Sequence, residues 1–290
     1  MDKEFYNEAS AARLGWDASW FIPGHFEYDT KLTKAIREFQ KEHGLTADGL
    51  CGPTTYRRLV AHIEQNKEYK KQELSSTSSC IYYMDKPVSI KWDKVVTYKD
   101  KDGLRLAKRP KKHGRKRNIK YFVTHWDVCL SSQSCVKVLN RRGLSVHFCI
   151  DNDATIYQLA DLNDVTYHAG SHNPYSVGVE ISNAYYPKYQ NWYKKNGFGE
   201  RPLITDGIVH GRKMKPFMDF YPEQKEALKA LYLACHEALD IPLEAPKVKW
   251  GVDPECQKKT FRGFCSHFHL TKGKIDCAGL DIEALLEDLK

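Results

Sequence analysis

Residues 168–182 read HAGSHNPYSVGVEIS, and their last six decide how the chain folds. VGVEIS (177–182) is β-branched and apolar except for Glu180, which stands between Val179 and Ile181. Such a run reads as a strand. A carboxylate among apolar neighbours is costly to bury unless it has a partner or a task. An outward-facing strand position would carry an acid as well, and alternation alone does not separate the two. Working outward, IKYFVTH (119–125) is a second β-rich run, ending in His125 where a side chain can project into a cleft. SVHFCI (145–150) is a third, and TIYQL (155–159) returns from the turn Asp151-Asn152-Asp153 as its hairpin partner. PEQKEALKALYLACHEALD (222–240) predicts a helix, with Pro222 in the first turn and Leu228, Leu231, Tyr232, Cys235 and Leu239 as its apolar stripe. DIEALLEDL (281–289) reads as a short closing helix. Strands and helices alternate, so the expected fold is α/β or α+β, a mixed β-sheet flanked by helices.

The N-terminal part has a different texture. Leu32, Ala35, Ile36 and Phe39 recur at helical spacing, and Gly44 suits the residue just past the helix end. Asp48-Gly49 is a turn, and Gly52-Pro53 opens a second helix whose buried face would hold Leu59 and Val60. Residues 64–82, EQNKEYKKQELSSTSSCIY, are polar and Ser/Thr-rich and read as a linker. The expected organisation is a small all-α domain at 1–65, a linker at 66–84 and a larger domain at 85–290.

Composition narrows the function classes. Of 290 residues 41% are apolar and 28% charged, which excludes a wholly disordered or collagen-like chain. No stretch approaches the ~18 apolar residues of a membrane span. The first residues, MDKEFYNEAS, lack the apolar core of a secretory signal, so synthesis in the cytoplasm is expected. The net charge of +8 lies in one place: residues 108–120, KRPKKHGRKRNIK, hold eight Lys/Arg and no acid, and outside them 37 basic residues face 37 acidic ones. That run reads either as a solvated loop or as a contact for anionic cell-envelope polymers. Nucleic acid is disfavoured because no aromatic platform is interleaved with it. Nine cysteines without a CxxC pair argue against a disulfide scaffold and an all-cysteine zinc site. Mostly reduced thiols are expected, with a local Cys129–Cys135 bridge open to a chain that meets an oxidising medium.

The chemistry emerges when the two ends of the larger domain are taken together. SHFHLTKGKID (266–276) carries His267, His269, Lys274 and Asp276. Its two imidazoles and one carboxylate suit a catalytic zinc, which keeps three protein ligands and one position open for water, and they raise the standing of His125 at the other end of the domain. Glu180 would be the proton acceptor such a site needs.

Both halves resemble known families. Phe39-Gln40, Gly44-Leu45, Asp48-Gly49, Gly52, Thr55 and Leu59 follow the pattern of three-helix peptidoglycan-binding domains found on wall hydrolases. The larger domain resembles the type 2 N-acetylmuramoyl-L-alanine amidases, which include phage amidase lysozymes and share their fold with peptidoglycan recognition proteins. Four blocks carry that likeness in family order: FVTHW with His125; SVHFCIDNDATIYQLAD; His168-Ala169-Gly170 followed by Asn173, Ser176 and Val177–Glu180; and His267 followed by Lys274 and Asp276. The resemblance implies His125, His267 and Asp276 as ligands of Zn2+, Glu180 as catalytic acid/base, Lys274 as oxyanion stabiliser, and His168 and Asn173 lining the cleft as substrate-binding residues that contact muropeptide or the neighbouring loop. His269 competes with His267, and Cys277 with Asp276. His147 is expected behind the site, with Val146 where some phage enzymes hold a Tyr. The Cys129/Cys135 spacing matches a disulfide of many recognition proteins. The loop 184–220, rich in Tyr, Trp and Lys, either edges the substrate groove or forms a structural lobe.

The implied function is a monomeric zinc amidase acting on bacterial peptidoglycan after release from a host cell, endolysin-like. The alternatives are an inactive recognition module of the same fold, a zinc peptidase cutting the stem peptide, and a nucleic-acid-binding regulator.

Overall fold

The computed structural model describes residues 2–107, 110–112 and 114–290. Lys108, Arg109 and His113 of the basic run therefore lie outside the described residues.

Six strands form the main sheet: β1 (Val95–Thr97), β2 (Tyr121–Trp126), β3 (Phe148–Ile150), β4 (Ile156–Gln158), β5 (Ser176–Ile181) and β6 (Gly263–Ser266), in the order β6-β2-β5-β3-β4-β1. The sheet is mixed. β2 runs parallel to both β5 and β6, β3 is parallel to β5 and antiparallel to β4, and β1 is parallel to β4.

Period-two alternation gives the sheet two unlike faces. Phe122, Trp126, Val177, Val179, Ile181 and Phe264 join one apolar cluster with Leu228, Leu231 and Tyr232. Those three belong to the long helix Pro222–Leu239, expected from its stripe. The opposite face carries Tyr121, Val123, Cys149 and Cys265. By the same alternation it also carries His125 and Glu180. A helix at Ser132–Arg142, capped by Ser131 and ended by Gly143 in the left-handed region, covers part of this face through Cys135, Val136 and Leu139.

The N-terminal helices α1 (Lys3–Leu14), α2 (Thr30–Glu42) and α3 (Pro53–Glu64) pack on that same side. We call Ser132–Arg142 α4 and Pro222–Leu239 α5. The two helices expected from the pattern are present, with Leu32, Ile36 and Leu59 buried. α1 carries no comparable apolar stripe. Its buried face includes Asn7 and Ser10. The Asn7 amide donates to Gly49 O (3.0 Å) and accepts from Cys51 N (2.9 Å), so α1 is held to the Asp48-Gly49 turn by polar bonds that hydrophobic periodicity does not register. Gly49 has φ +77°, the left-handed conformation for which glycine is suited.

The segment read as a linker is not free. Tyr69 meets Trp192 and Phe198, Gln72 donates to Asp102 O (2.6 Å), and a hairpin of Cys80–Tyr83 with Lys86–Ser89 begins inside it. Ile81 of that hairpin is fully buried in the core, which composition alone did not anticipate. α1–α3 also share a continuous apolar cluster with α4: Ala11, Leu14, Tyr56 and Leu59 join Val136 and Leu139. The helical unit is thus fixed against the sheet domain.

The basic run is likewise partly structural. Arg117 is buried, donating to Ser176 O (2.6 Å) and Asp164 O, and Lys120 donates to Lys259 O (2.9 Å). All nine cysteines are free thiols, Cys129 and Cys135 included. Among the described residues no helix is long and apolar enough to cross a membrane.

Candidate active site

The sheet register does the first part of assembly. Parallel pairing sets His125 on β2 directly beside Glu180 on β5. On the other flank β6 pairs Ser266 with Thr124, so the next residue, His267, reaches the end of β2. The chain then loops back, and Phe268 N donates to Asp276 O (3.0 Å), bringing that side chain under both imidazoles. His125 Nδ1 and His267 Nδ1 each lie 3.0 Å from Asp276 Oδ2. The three donor atoms all lie within 4.8 Å of one another.

Hydrogen-bond polarity settles which His125 nitrogen is bare. Ser176 Oγ donates to His172 O (3.0 Å), so it accepts from His168 Nε2 (3.2 Å). His168 Nδ1 is then an acceptor and takes the proton of His125 Nε2 (2.9 Å). Burial, and the imidazoles next to it, keep His168 well below its ordinary pKa; burial and the neighbouring His267 lower His125 to about 4, so both rings are neutral. His125 Nδ1 therefore points a lone pair at a carboxylate oxygen with no proton between them. A cation held between them would relieve that contact.

Zinc bonds of ~2.0–2.2 Å in a tetrahedron separate neighbouring donors by roughly 3.3 Å, close to the spacing here. The donor set fits Zn2+. Burial would raise the Asp276 carboxyl, but His267 and His125 more than reverse this and hold it well below the usual range.

Glu180 faces the same cleft. Burial pushes its carboxyl well above the ordinary value, Asp127 and Asp276 add to this, and Arg57 and Lys274 oppose it. Its Oε2 is buried without a hydrogen-bond partner, as suits a group that accepts a proton from a reactant. Lys274 lines the cleft with an exposed side chain.

The remaining candidates separate cleanly. His168 lines the cleft with both its nitrogens bonded within the protein, to His125 and Ser176, a geometry that orients His125. Asn173 is turned away from the cleft: its Oδ1 accepts from His168 N (3.1 Å) and Ala169 N (2.7 Å), fixing the loop that carries His168. Of the two roles expected for it, the loop contact is the one these bonds make. His269 accepts from Ser266 N (2.9 Å) and approaches Lys249 O (3.3 Å), outside the cluster. Cys277 is buried in the core on the far face. His147 lies behind the site, accepting from Gly178 N (3.2 Å) and bonded to Asp164 O (2.9 Å). In 184–220, Tyr189, Trp192 and Tyr193 form a buried lobe while Tyr185 and Tyr186 line the cleft.

Sequence reasoning missed Ser176 as the end of the His168 chain, and it missed Arg57, Arg58 and Arg142 in the cleft wall. No spacing in the sequence links α3 to Glu180.

A family model described as N-acetylmuramoyl-L-alanine amidase matches residues 115–267, just over half of the chain. The chain belongs to this family. Lys274 and Asp276 lie past the end of the match, yet the loop return delivers Asp276 to the two histidines of this amidase. A second model, a peptidoglycan binding domain, matches residues 12–59. The chain is also similar to a spore cortex-lytic enzyme of Oceanobacillus iheyensis, at 30% identity over 79 residues. That match covers 27% of this chain and 24% of the relative, so about a quarter of the curated relative is spanned. Among solved structures, the endolysin amidase LysCS from Clostridium intestinale URNW is similar at 17% identity and TM-score 0.41, covering 68% of this chain and 95% of that one. The Ph2119 endolysin from the Thermus scotoductus MAT2119 bacteriophage is similar at 13% identity and TM-score 0.39, covering 67% and 97%.

Two predictions arise here. A Cβ on Gly178 would stand 2.5 Å from His168 Nδ1, so Gly178→Ala must displace the ring that orients His125. Zinc affinity is expected to fall ~10–100-fold. Metal titration checks this, and an unchanged affinity would show that His168 does not orient His125. The second concerns pH. Burial lowers His147 to about 3, and burial followed by Lys188 lowers His43 to about 4, against 6.5 for the free side chain. The unfolded chain binds these protons first, so their contribution to stability is full above pH 6.5 and is lost as pH drops towards 4. At pH 5 each histidine is expected to cost about 2 kcal/mol. The buried carboxyls Asp127 and Asp151, raised to about 7 and about 6, act in the opposite direction, so one histidine is read by comparing the wild type with His43→Gln in urea at pH 7 and pH 5, and an equal pH dependence in the two would contradict it.

Proposed function

We propose that this amidase is zinc-dependent and hydrolyses the amide between the lactyl group of N-acetylmuramic acid and L-alanine of the stem peptide, working on the bacterial wall as an endolysin. The observation that carries this reading is the bare His125 Nδ1, which with His267 Nδ1 converges on one Asp276 oxygen in a cleft that also holds Glu180. His125, His267 and Asp276 would hold the metal. Bound there, Zn2+ supplies Lewis-acid polarisation of the scissile carbonyl and lowers the pKa of water.

The protein's own residues do the rest. The Glu180 carboxylate takes the proton of the attacking water and returns it to the leaving L-alanine nitrogen. Lys274 presents its ammonium to the oxygen on which charge develops. His168 keeps His125 in the tautomer that leaves Nδ1 free. In this reading residues 1–65 hold peptidoglycan, 66–84 connect and 85–290 cut.

The test is a digest of purified peptidoglycan with and without a chelator, assayed for new L-alanine amino termini and new reducing ends. New L-alanine amines, no reducing ends, loss with chelator and recovery with Zn2+ are expected. No cleavage by folded, zinc-loaded protein would overturn the reading in favour of a recognition module. New amines from other residues would make it a peptidase.

A further inference from the structure

The catalytic cleft, of roughly 280 Å3, is not built by the amidase region alone. α3 of the peptidoglycan-binding helices contributes Thr54, Arg57 and Arg58 to its wall, and α4 contributes Arg142. Arg58 has a task inside the protein: it is buried, with its guanidinium 3.2 Å from the centre of the Tyr186 ring, and so braces that side of the cleft. Arg57 and Arg142 are different. Both are partly exposed, and among the described residues neither has a hydrogen-bonded or ion-paired acceptor. Arg57 and Arg142 lie in each other's field and both lie in that of the Glu180 carboxylate, yet among the described residues neither guanidinium makes a hydrogen bond to it. The wall that holds them is rigid, because Tyr56 and Leu59 of α3 share one core with Val136 and Leu139 of α4.

Two guanidiniums facing one cleft match a carboxylate, whose two oxygens accept the parallel N–H bonds of their forks. At roughly 280 Å3 the cleft lies just below the ~300–1,000 Å3 usual for ligand sites, so the groups flanking the scissile bond suffice to fill it. The lactyl carboxyl is consumed in the scissile amide, and L-alanine has no free carboxylate within the chain. The first free one belongs to the following residue, an acidic amino acid joined through its side-chain carboxyl, with its α-carboxyl free or amidated.

We propose that Arg57 and Arg142 form a carboxylate subsite, shared between the peptidoglycan-binding helices and the amidase region, that takes the free α-carboxylate of the second stem-peptide residue. It rests on the amidase reading above. It makes the wall-binding unit part of the specificity of cleavage, and it makes α-amidation of the stem a chemical mark the enzyme discriminates against.

The experiment uses the full zinc-loaded chain and two synthetic substrates, N-acetylmuramoyl-L-Ala-γ-D-Glu-L-Lys with the α-carboxyl free or as the amide. The wild type is expected to favour the free acid by ~10–100-fold in kcat/KM, expressed mainly in KM, as for a charged hydrogen-bonded pair. Arg57→Gln and Arg142→Gln, singly and together, bring the acid-to-amide ratio down towards 1, and Arg57→Lys leaves it in between. A change of fold or metal content would move both substrates alike, whereas this ratio responds only to recognition of the carboxylate. Equal wild-type rates on the two substrates, or an unchanged ratio in both single variants, overturns the subsite and leaves the amidase reading standing. Cleavage of neither substrate by the wild type overturns both.

Discussion

Glu180→Ala is expected to lower turnover on peptidoglycan by ~10²–10⁴-fold while the protein still binds zinc with near wild-type stoichiometry. The expectation follows from where Glu180 stands. It neighbours His125 across the β2–β5 ladder, yet it is absent from the trio that converges on one point. Its carboxyl is held well above the ordinary pKa, by burial first, and its buried Oε2 has no internal partner. Removing it therefore takes away a proton acceptor and leaves the ligand geometry in place. Because a buried carboxylate without a hydrogen bond is a cost to the fold, the variant should be no less stable than the wild type. Steady-state turnover, metal content and a urea melt measured on one preparation check all three parts. Retained turnover would remove Glu180 from the acid/base role, and lost zinc would make it part of the metal site.

His125→Ala is expected to lose zinc and activity together, with a fall in turnover at least as large. Here the physical reason is the shared oxygen. Asp276 Oδ2 lies 3.0 Å from both His125 and His267, and without His125 a metal would keep only one imidazole and one carboxylate. His168 would also lose the proton it accepts, leaving its Nδ1 in a dry pocket without a donor. Metal titration and turnover of the variant decide this. A variant that still holds zinc tightly and cuts would mean that another group, not His125, completes the site.

The two variants fail in different ways because strand pairing places adjacent side chains in different jobs. That difference was only half visible beforehand. The strands around His125 and Glu180, the long helix from Pro222 and the two helices of the wall-binding unit were legible because apolar spacing reports burial directly. The four blocks also named the trio, Glu180 and Lys274. α1 escaped because it buries Asn7 and Ser10 through hydrogen bonds, and the order of residues 66–84 escaped because their anchors, Tyr69, Gln72 and Ile81, are scattered among polar residues.

Asn173 shows the limit most clearly. It stands inside a recognisable block, and an Asn near a cleft can equally bind substrate or hold a loop. In the fold its Oδ1 accepts from His168 N and Ala169 N and so holds the loop, a contact that spacing alone does not reveal. The sequence by itself determined a mixed sheet, an N-terminal helical unit and membership of the amidase family, since periodicity and local motif are properties of neighbouring residues. Only the tertiary structure decided that Ser176 and His168 leave His125 Nδ1 bare, and that Arg57 of α3 stands in the same cleft as Arg142 of α4. Both depend on side chains distant in the chain and brought together by packing, which local spacing does not encode.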